Sequence, residues 1–436
     1  MLRASRLLLN IAINSVNADF KLHRAFTKSS GYAIVDHELP TGPRTAANDP
    51  ARFARVSSVD AGQQFTLKRR GSILFSSKGV TMIVDADAHV VETPKTWDYL
   101  DGSDKKFRPQ LFQSAENPNL QYWFLDGKNI GFRNATLSEQ ELIALSKETG
   151  RALETAADAR ELRDVELRLQ HMDKLGIDVQ ILFNTMWIAR VADKTETEIA
   201  LCGSWNRWMA DVWKQGKNRL RWSCVVPAMT ISEALQQIRF GRENGAVAVS
   251  LRPFENEKHL VEPYFYPIYE EANRLGMAIA IHIANGSPQL MEQFKPRYDK
   301  MGGFAQFRIP TVITCLSLMM SDVPKLFPQL RWTFVEASAQ WVPWVVNEAV
   351  RRSGTKGFPK NPCKAFNIYI TAQTDDDFPF VLKYAGEDNI VIGTDYGHTD
   401  ASSQVDAIEV FRDDSSISEA VKKKILDDNP RILYGL

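Results

Sequence analysis

Cysteine is scarce in this sequence, with four among 436 residues (Cys202, Cys224, Cys315 and Cys363), far apart and without a CxxC pair. That spacing excludes a cysteine zinc site and a disulfide framework, and predicts reduced, buried thiols. An excess of one charge is absent too, since 53 Lys and Arg stand against 53 Asp and Glu. With no basic surplus to neutralise phosphates, nucleic acid is not expected as a partner. No apolar run reaches the roughly 18 residues needed to span a bilayer, so no membrane partner is expected. A GxGxxG after the first strand, a Gly-rich phosphate loop and a GxSxG elbow are all missing. Their absence removes the main signals for a dinucleotide fold and for serine-nucleophile chemistry. Histidine is also rare, at seven residues, so each one deserves a position-by-position reading.

What is present is a large core-forming composition, 44% hydrophobic with ten Trp and 23 Phe. The opening MLRASRLLLNIAINSVNADFKLHRAFTKSS carries five Arg or Lys and the single acid Asp19. Residues 1–80 mix Gly, Pro, Ser and charge without sustained periodicity and are read as an extension, poorly ordered or targeting. A cytoplasmic location is expected, or a mitochondrial one if this stretch is a transit peptide.

From residue 81 to 436 the pattern becomes regular. Eight short apolar, β-branched runs alternate with helical stretches: Ile83-Val84 into DADAH, GIDVQILFNT, RWSCVVPA, GAVAVSLRP, MAIAIHIANG, RWTFVEASAQW, FNIYITAQT and NIVIGTDYGH. This order predicts an α/β fold, a (β/α)8 TIM barrel with strands buried on both faces. Among the helices, residues 158–175 place Leu162, Val165, Leu169 and Met172 on one stripe. Ser232 is the expected N-cap of the helix from Ile231, Gly276 stops the one from Pro263, and a last helix is expected over 416–428. Residues 92–157 are too long for an ordinary connection, and Asp126-Gly127 within them signals a hairpin in an excursion over the barrel mouth.

Reactive groups of such barrels sit at the C-terminal ends of strands. There the sequence places Asp85, Asp87 and His89 on strand 1, His282 on strand 5 and Asp395 on strand 8, with His398 three residues further. Strict alternation predicts that Asp85, Asp87 and His89 share one face. Carboxylate oxygens and imidazole nitrogens together suit one divalent cation, with zinc first, and manganese or iron served by the same donors. His171 in a helix and His259 in a loop are read as structural or solvent-facing, as are His23 and His37 in the N-terminal stretch.

The stretches IVDADAHVVETP, GAVAVSLRPF, IAIHIANG, FVEASAQWVPW and NIVIGTDYGHTD resemble the amidohydrolase-related branch of the amidohydrolase superfamily. That branch includes aminocarboxymuconate-semialdehyde decarboxylase-like and resorcylate decarboxylase-like enzymes. The resemblance implies metal ligands at Asp87, His89, His282 and Asp395, the last also handling a proton. Many relatives carry His-Gly on strand 6 where this chain has Glu336-Ala337-Ser338, resembling a variant EGxxxWxP pattern. Glu336 is therefore read as a proton carrier, a further ligand, or a structural residue orienting Trp341 or a barrel loop. Arg252 either grips a substrate carboxylate or forms an interior salt bridge. His398 either supplies the acid/base function missing from strand 6 or lies at the surface.

The resemblance implies a small-molecule carboxylate or carbonyl substrate. Non-oxidative decarboxylation of an aromatic or enol-like acid is the leading expectation, and metal-assisted hydrolysis of an ester, lactone or amide the alternative. A non-catalytic binding barrel is a third reading. VITCLSLMM from Val312 either packs on the barrel or meets a second copy in a homo-oligomer.

Overall fold

The computed structural model describes residues 81–115, 121–133, 137–295, 303–354 and 357–436. The chain divides into two units, Met1–Val80 and Thr81–Leu436, and all described residues belong to the second. The expectations for residues 1–80, His23 and His37 included, lie outside them.

Eight strands form one all-parallel sheet in chain order: β1 (Val84–His89), β2 (Val179–Phe183), β3 (Leu220–Val225), β4 (Ala246–Leu251), β5 (Ala278–His282), β6 (Trp332–Val335), β7 (Ile368–Ala372) and β8 (Ile390–Ile392). The sheet closes where β8 meets β1: the Thr394 amide donates to the Asp87 carbonyl at 3.1 Å and the His89 amide to the Tyr396 carbonyl at 2.8 Å. The expected TIM barrel is present, and each predicted run coincides with one of the eight strands, β3 starting one residue earlier at Leu220. Small residues (Ala86, Ala248, Ala278, Ala280) share the barrel interior with Val84, Ile181, Phe183, Val335 and Val391. Tyr434, near the C-terminus, joins that interior cluster, and its hydroxyl donates to the Ala86 carbonyl at 2.9 Å.

A bulge breaks strict alternation on β1. Its register against β2 shifts between Asp85 and Ala88, so Val84 and Ala86 face the interior while Asp85 falls out of phase with Asp87 and His89. The expected shared face of the three is therefore corrected: an extra residue in a strand re-aims every side chain beyond it. Asp85 is buried and accepts from the Thr394 amide (2.9 Å) and hydroxyl (2.6 Å) and from Gln180 Nε2 (2.9 Å).

Helix boundaries need three smaller corrections. The stretch 158–175 breaks into Ala157–Arg160 and Val165–Lys174, because Leu162 adopts φ 48° and Asp164 caps the second piece. The helix Ile231–Glu243 starts one residue before Ser232, which lies inside its first turn, and Thr230 occupies the N-cap without a side-chain bond. The last helical stretch begins at Glu419, capped by Ser418, and runs through a π turn to Tyr434. Gly276 ends Tyr266–Leu275 at φ 68°, a left-handed C-cap of the kind glycine supplies.

Between β1 and β2 the chain builds an antiparallel sheet of Gln110–Gln113, Gln121–Leu125 and Lys128–Arg133, turning at Asp126-Gly127 with both φ positive. Edge-to-face and tilted contacts run from Trp123 of this sheet through Trp97 and Trp187 to Trp205, with centroids 5.9, 6.4 and 6.2 Å apart. Trp187 lies just past the end of β2, so the excursion packs at the mouth side of the barrel. All four cysteines are buried and free. The helix Ile309–Met320 buries Val312, Cys315, Leu318 and Met319 against the core and leaves Ile313 and Met320 exposed. Among the described residues, no helix is long and apolar enough to cross a membrane.

Candidate metal centre

Four strand ends bring their polar residues to one place. Past the bulge, Asp87 and His89 point into the mouth from β1, and His282 is the last residue of β5. Glu336 follows β6 and Asp395 follows β8. Both have left-handed backbone, at φ 65° and φ 49°. For a non-glycine residue this conformation costs roughly 1–2 kcal/mol, and such strain gathers where a side chain must be aimed against its local preference. The Asp87 carbonyl helps hold the Asp395 turn by accepting the Asp395 amide at 2.9 Å. After β6, the Asp376 carboxylate anchors the turn by accepting the Ala339 amide at 2.8 Å and the Ser338 hydroxyl.

The donor atoms converge closely. His89 Nε2 lies 3.1 Å from His282 Nε2, 3.4 Å from Glu336 Oε2, and 3.5 Å from both Asp87 Oδ1 and Asp395 Oδ1. His282 Nε2 is 3.2 Å from Glu336 Oε2 and 3.6 Å from Asp87 Oδ1. Donors about 2.0–2.2 Å from one cation sit roughly 3.0–3.5 Å from one another, and these separations match. The opposite ring nitrogens explain the orientation: His89 Nδ1 faces the Asn184 carbonyl at 3.0 Å and His282 Nδ1 the Ile283 carbonyl at 3.3 Å. Protonated there, each ring turns a bare Nε2 inward, the usual support of a metal-binding histidine. Asp87 Oδ1 is buried without a hydrogen bond, an acceptor a cation would satisfy.

Electrostatics point the same way. Burial raises Asp87, yet the His282 and His89 contacts outweigh it and hold this carboxyl well below the usual range. Burial, with repulsion from Asp395 and Asp400, drives Glu336 far above it. Carboxylates pushed apart in this way share one small space with too much negative charge, which a divalent cation would neutralise.

A second group overlaps the first: His89, Glu336, Asp395 and His398 also hold ligand atoms within 4.8 Å of one another. His398 Nδ1 is 2.8 Å from Asp395 Oδ1, and its ring stacks on His89 with centroids 3.9 Å apart. Burial lowers His398, but Asp395, Glu336 and Asp400 push it up to about 10. Ser403 donates to Asp395 Oδ2 at 2.7 Å.

Of the residues singled out from the sequence, Asp87, His89, His282, Glu336, Asp395 and His398 come together, and Asp85 and Arg252 stand apart. The His398 side chain is only 10% exposed and faces the cluster, which corrects its surface reading. Glu336 turns into the cluster, and Trp341 Nε1 is buried without any hydrogen-bond partner, so Glu336 does not orient Trp341. The Arg252 guanidinium is occupied by Glu255 (2.5 Å), Glu198 (3.3 Å) and the Ala189 carbonyl (3.2 Å), the interior salt-bridge arrangement. His171 Nδ1 meets the Tyr396 hydroxyl at 2.8 Å, and His259 Nε2 meets Thr314 Oγ1 at 3.2 Å, both away from the cluster. The sequence reading missed Asn184, Thr185 and Ser403. It saw the Gly of GTD without its reason: a Cβ on Gly393 would lie 2.3 Å from Asp87 Cβ.

A closed parallel barrel with acid and imidazole donors at its strand ends defines a barrel with a candidate cation site. Residues 84–436 match the amidohydrolase family, and the chain belongs to it. It is similar to the 2-amino-3-carboxymuconate-6-semialdehyde decarboxylase of Dictyostelium discoideum, 21% identical over 294 residues, which are 63% of this chain and 77% of that protein. The crystal structure of amidohydrolase map2389c from Mycobacterium avium subsp. paratuberculosis K-10 superposes with a TM-score of 0.67 at 18% identity, covering 81% of this chain and 98% of that one. The dihydroxybenzoic acid decarboxylase of Polaromonas sp. JS666, solved with manganese and the inhibitor 2-nitroresorcinol, gives 0.56 at 19%, covering 82% and 98%. The resemblance carried by the sequence motifs thus has its counterpart in the family match and in the decarboxylase relative, and at these identities the structural likeness establishes the fold.

Proposed function

We propose that the protein is a metal-dependent decarboxylase of an aromatic or enol-like carboxylic acid. The observation that carries this reading is one donor cluster, Asp87, His89, His282 and Glu336, with the Asp395–His398 pair directly beside it. A divalent cation, zinc or manganese, held by the cluster would polarise the substrate carboxylate and a neighbouring oxygen. Asp87, His89 and His282 hold that position, and Glu336 completes it in place of the relatives' strand-6 imidazole. Asp395, oriented by Ser403, and His398 keep a proton at the edge of the cluster. As the bond to the carboxylate breaks and CO2 departs, the electron pair stays on the substrate carbon and takes up that proton. Arg252 is held by Glu255, Glu198 and the Ala189 carbonyl, and it is left out of this scheme.

Two findings support decarboxylation over other amidohydrolase chemistry: the curated relative and the manganese-bound neighbour are both decarboxylases. Hydrolysis stays the second reading because the overlapping group of His89, Glu336, Asp395 and His398 offers donors for a second cation. Elemental analysis followed by a CO2-release screen on hydroxylated aromatic acids separates the two. About one metal per chain with CO2 evolved is the expected result. Two metals per chain with ester or amide cleavage would replace it, and tight metal retention without any turnover would leave a binding barrel.

A further inference from the structure

We infer that Thr185, clamped by Glu92, is a positioning residue that fixes the direction of the His398 imidazole over Asp395. The inference rests on the reading of His398 as a proton-handling group.

Thr185 is the second residue past β2, and three contacts hold it. Its amide donates to Glu92 Oε1 at 3.1 Å, and the same carboxylate oxygen accepts Trp205 Nε1 at 3.0 Å. Its hydroxyl donates to the Val90 carbonyl at 2.9 Å and lies 2.9 Å from His398 Nε2. A threonine hydroxyl has one proton, and here Val90 receives it. Only lone pairs are left for the ring, so His398 Nε2 must carry the hydrogen and donate. Nδ1 then lies on the Asp395 side of the ring, 2.8 Å from its Oδ1. The stacked His89 ring confines the imidazole plane but does not distinguish its two edges. A ring flip exchanges a nitrogen for a carbon on each edge, and the Thr185 hydrogen bond opposes it from the Nε2 edge as the Asp395 contact does from the Nδ1 edge.

The preceding residue does the same for the other ring of the stack. The Asn184 carbonyl takes His89 Nδ1 at 3.0 Å, so consecutive residues at the end of β2 orient two stacked imidazoles. Glu92 is itself buried, and the Trp205 indole that donates to it packs edge-to-face on Trp187. A site built this way holds its geometry before substrate arrives, and a displacement of about 1 Å in such a group can cost on the order of 10²-fold in rate.

The test uses the full-length protein, loaded with zinc and labelled with 15N-histidine, with His398→Asn to assign the signal. His398 Nε2 is expected to carry an exchange-protected proton in the wild type and in Thr185→Ser. In the near-isosteric Thr185→Val that protection should disappear while metal content stays at the wild-type level. An unchanged His398 signal in Thr185→Val overturns the inference whatever reaction the protein catalyses. Loss of metal in Thr185→Val also overturns it, since the residue would then be holding the centre as a whole. With 2,6-dihydroxybenzoate as probe acid, kcat should fall about 10²-fold with KM within about twofold, and Thr185→Ser should restore most of it. If the spectra behave as stated but no acid is decarboxylated, the decarboxylase reading fails and the role of Thr185 stands.

Discussion

His89 touches more of the site than any other residue: its Nε2 faces two carboxylates of the first cluster, His282 and Asp395, while its ring carries His398. Removing it should therefore abolish metal binding. Asp87→Ala, His89→Ala and His282→Ala are each expected to retain less than about a tenth of the wild-type metal by elemental analysis, whereas His171→Ala, whose ring meets the Tyr396 hydroxyl at 2.8 Å, should retain it fully. Gly393 supplies a steric test of the same place. A methyl group there meets Asp87 Cβ, N and Cα at 2.3, 2.8 and 2.9 Å, so β8 and β1 must part. Gly393→Ala should cost about 1–3 kcal/mol in denaturant unfolding and weaken metal binding. Gly397→Ala, whose Cβ would come no nearer than 3.4 Å to its neighbours but whose φ is +98°, should cost stability through backbone strain while metal content is largely kept. Most of these residues were legible beforehand because each ligand candidate stands at the end of a recognisable strand. Asn184, Thr185 and Ser403 were not, since a hydroxyl or an amide in a loop looks the same in sequence whether it faces solvent or a histidine.

Elements matter through how they seat those residues. The bulge on β1 separates Asp85 from Asp87 and His89 and turns it into a tie between strands. Behind it, Arg168 is fully buried, donating to Gln180 Oε1 at 2.7 Å and lying 3.4 Å from the centre of the Tyr396 ring. Gln180 in turn donates to Asp85, which takes both the amide and the hydroxyl of Thr394, the residue before Asp395. Burial raises Asp85 to about 6 although these hydrogen bonds favour its charged form. Asp85→Ala removes the acceptor for Thr394 and leaves Arg168 without its nearby negative charge. Breaking a buried charged network in this way costs roughly 3–5 kcal/mol, and urea unfolding should show a loss of that size. A loss below about 1 kcal/mol would mean that water replaces the carboxylate. Alternation along a strand predicts one face for all three acidic and imidazole positions, so no pattern in DADAH announces the bulge.

At the scale of the whole molecule, a metal bound at this cluster would link stability to function. The donors come from the ends of β1, β5 and β6, so a cation binding them would favour the closed barrel over the unfolded chain. Free metal at about 100 times its dissociation constant should add roughly 2.7 kcal/mol, and a chelator should remove it. Urea midpoints measured with and without chelator test this, and identical midpoints would argue against the cluster as a strong metal site. The sequence by itself determined the eight βα units, the strand ends where Asp87, His89, His282 and Asp395 stand, and the family they resemble. Each of these is written in local periodicity and in short motifs. Only the tertiary structure decided that Asp85 leaves the site, that Glu336 enters it, that Arg252 is spent on Glu255 and Glu198, and that Thr185 meets His398. Those outcomes depend on a bulge, on left-handed turns at single residues and on contacts between positions as many as 309 apart in sequence, and none of these leaves a periodic trace in the chain.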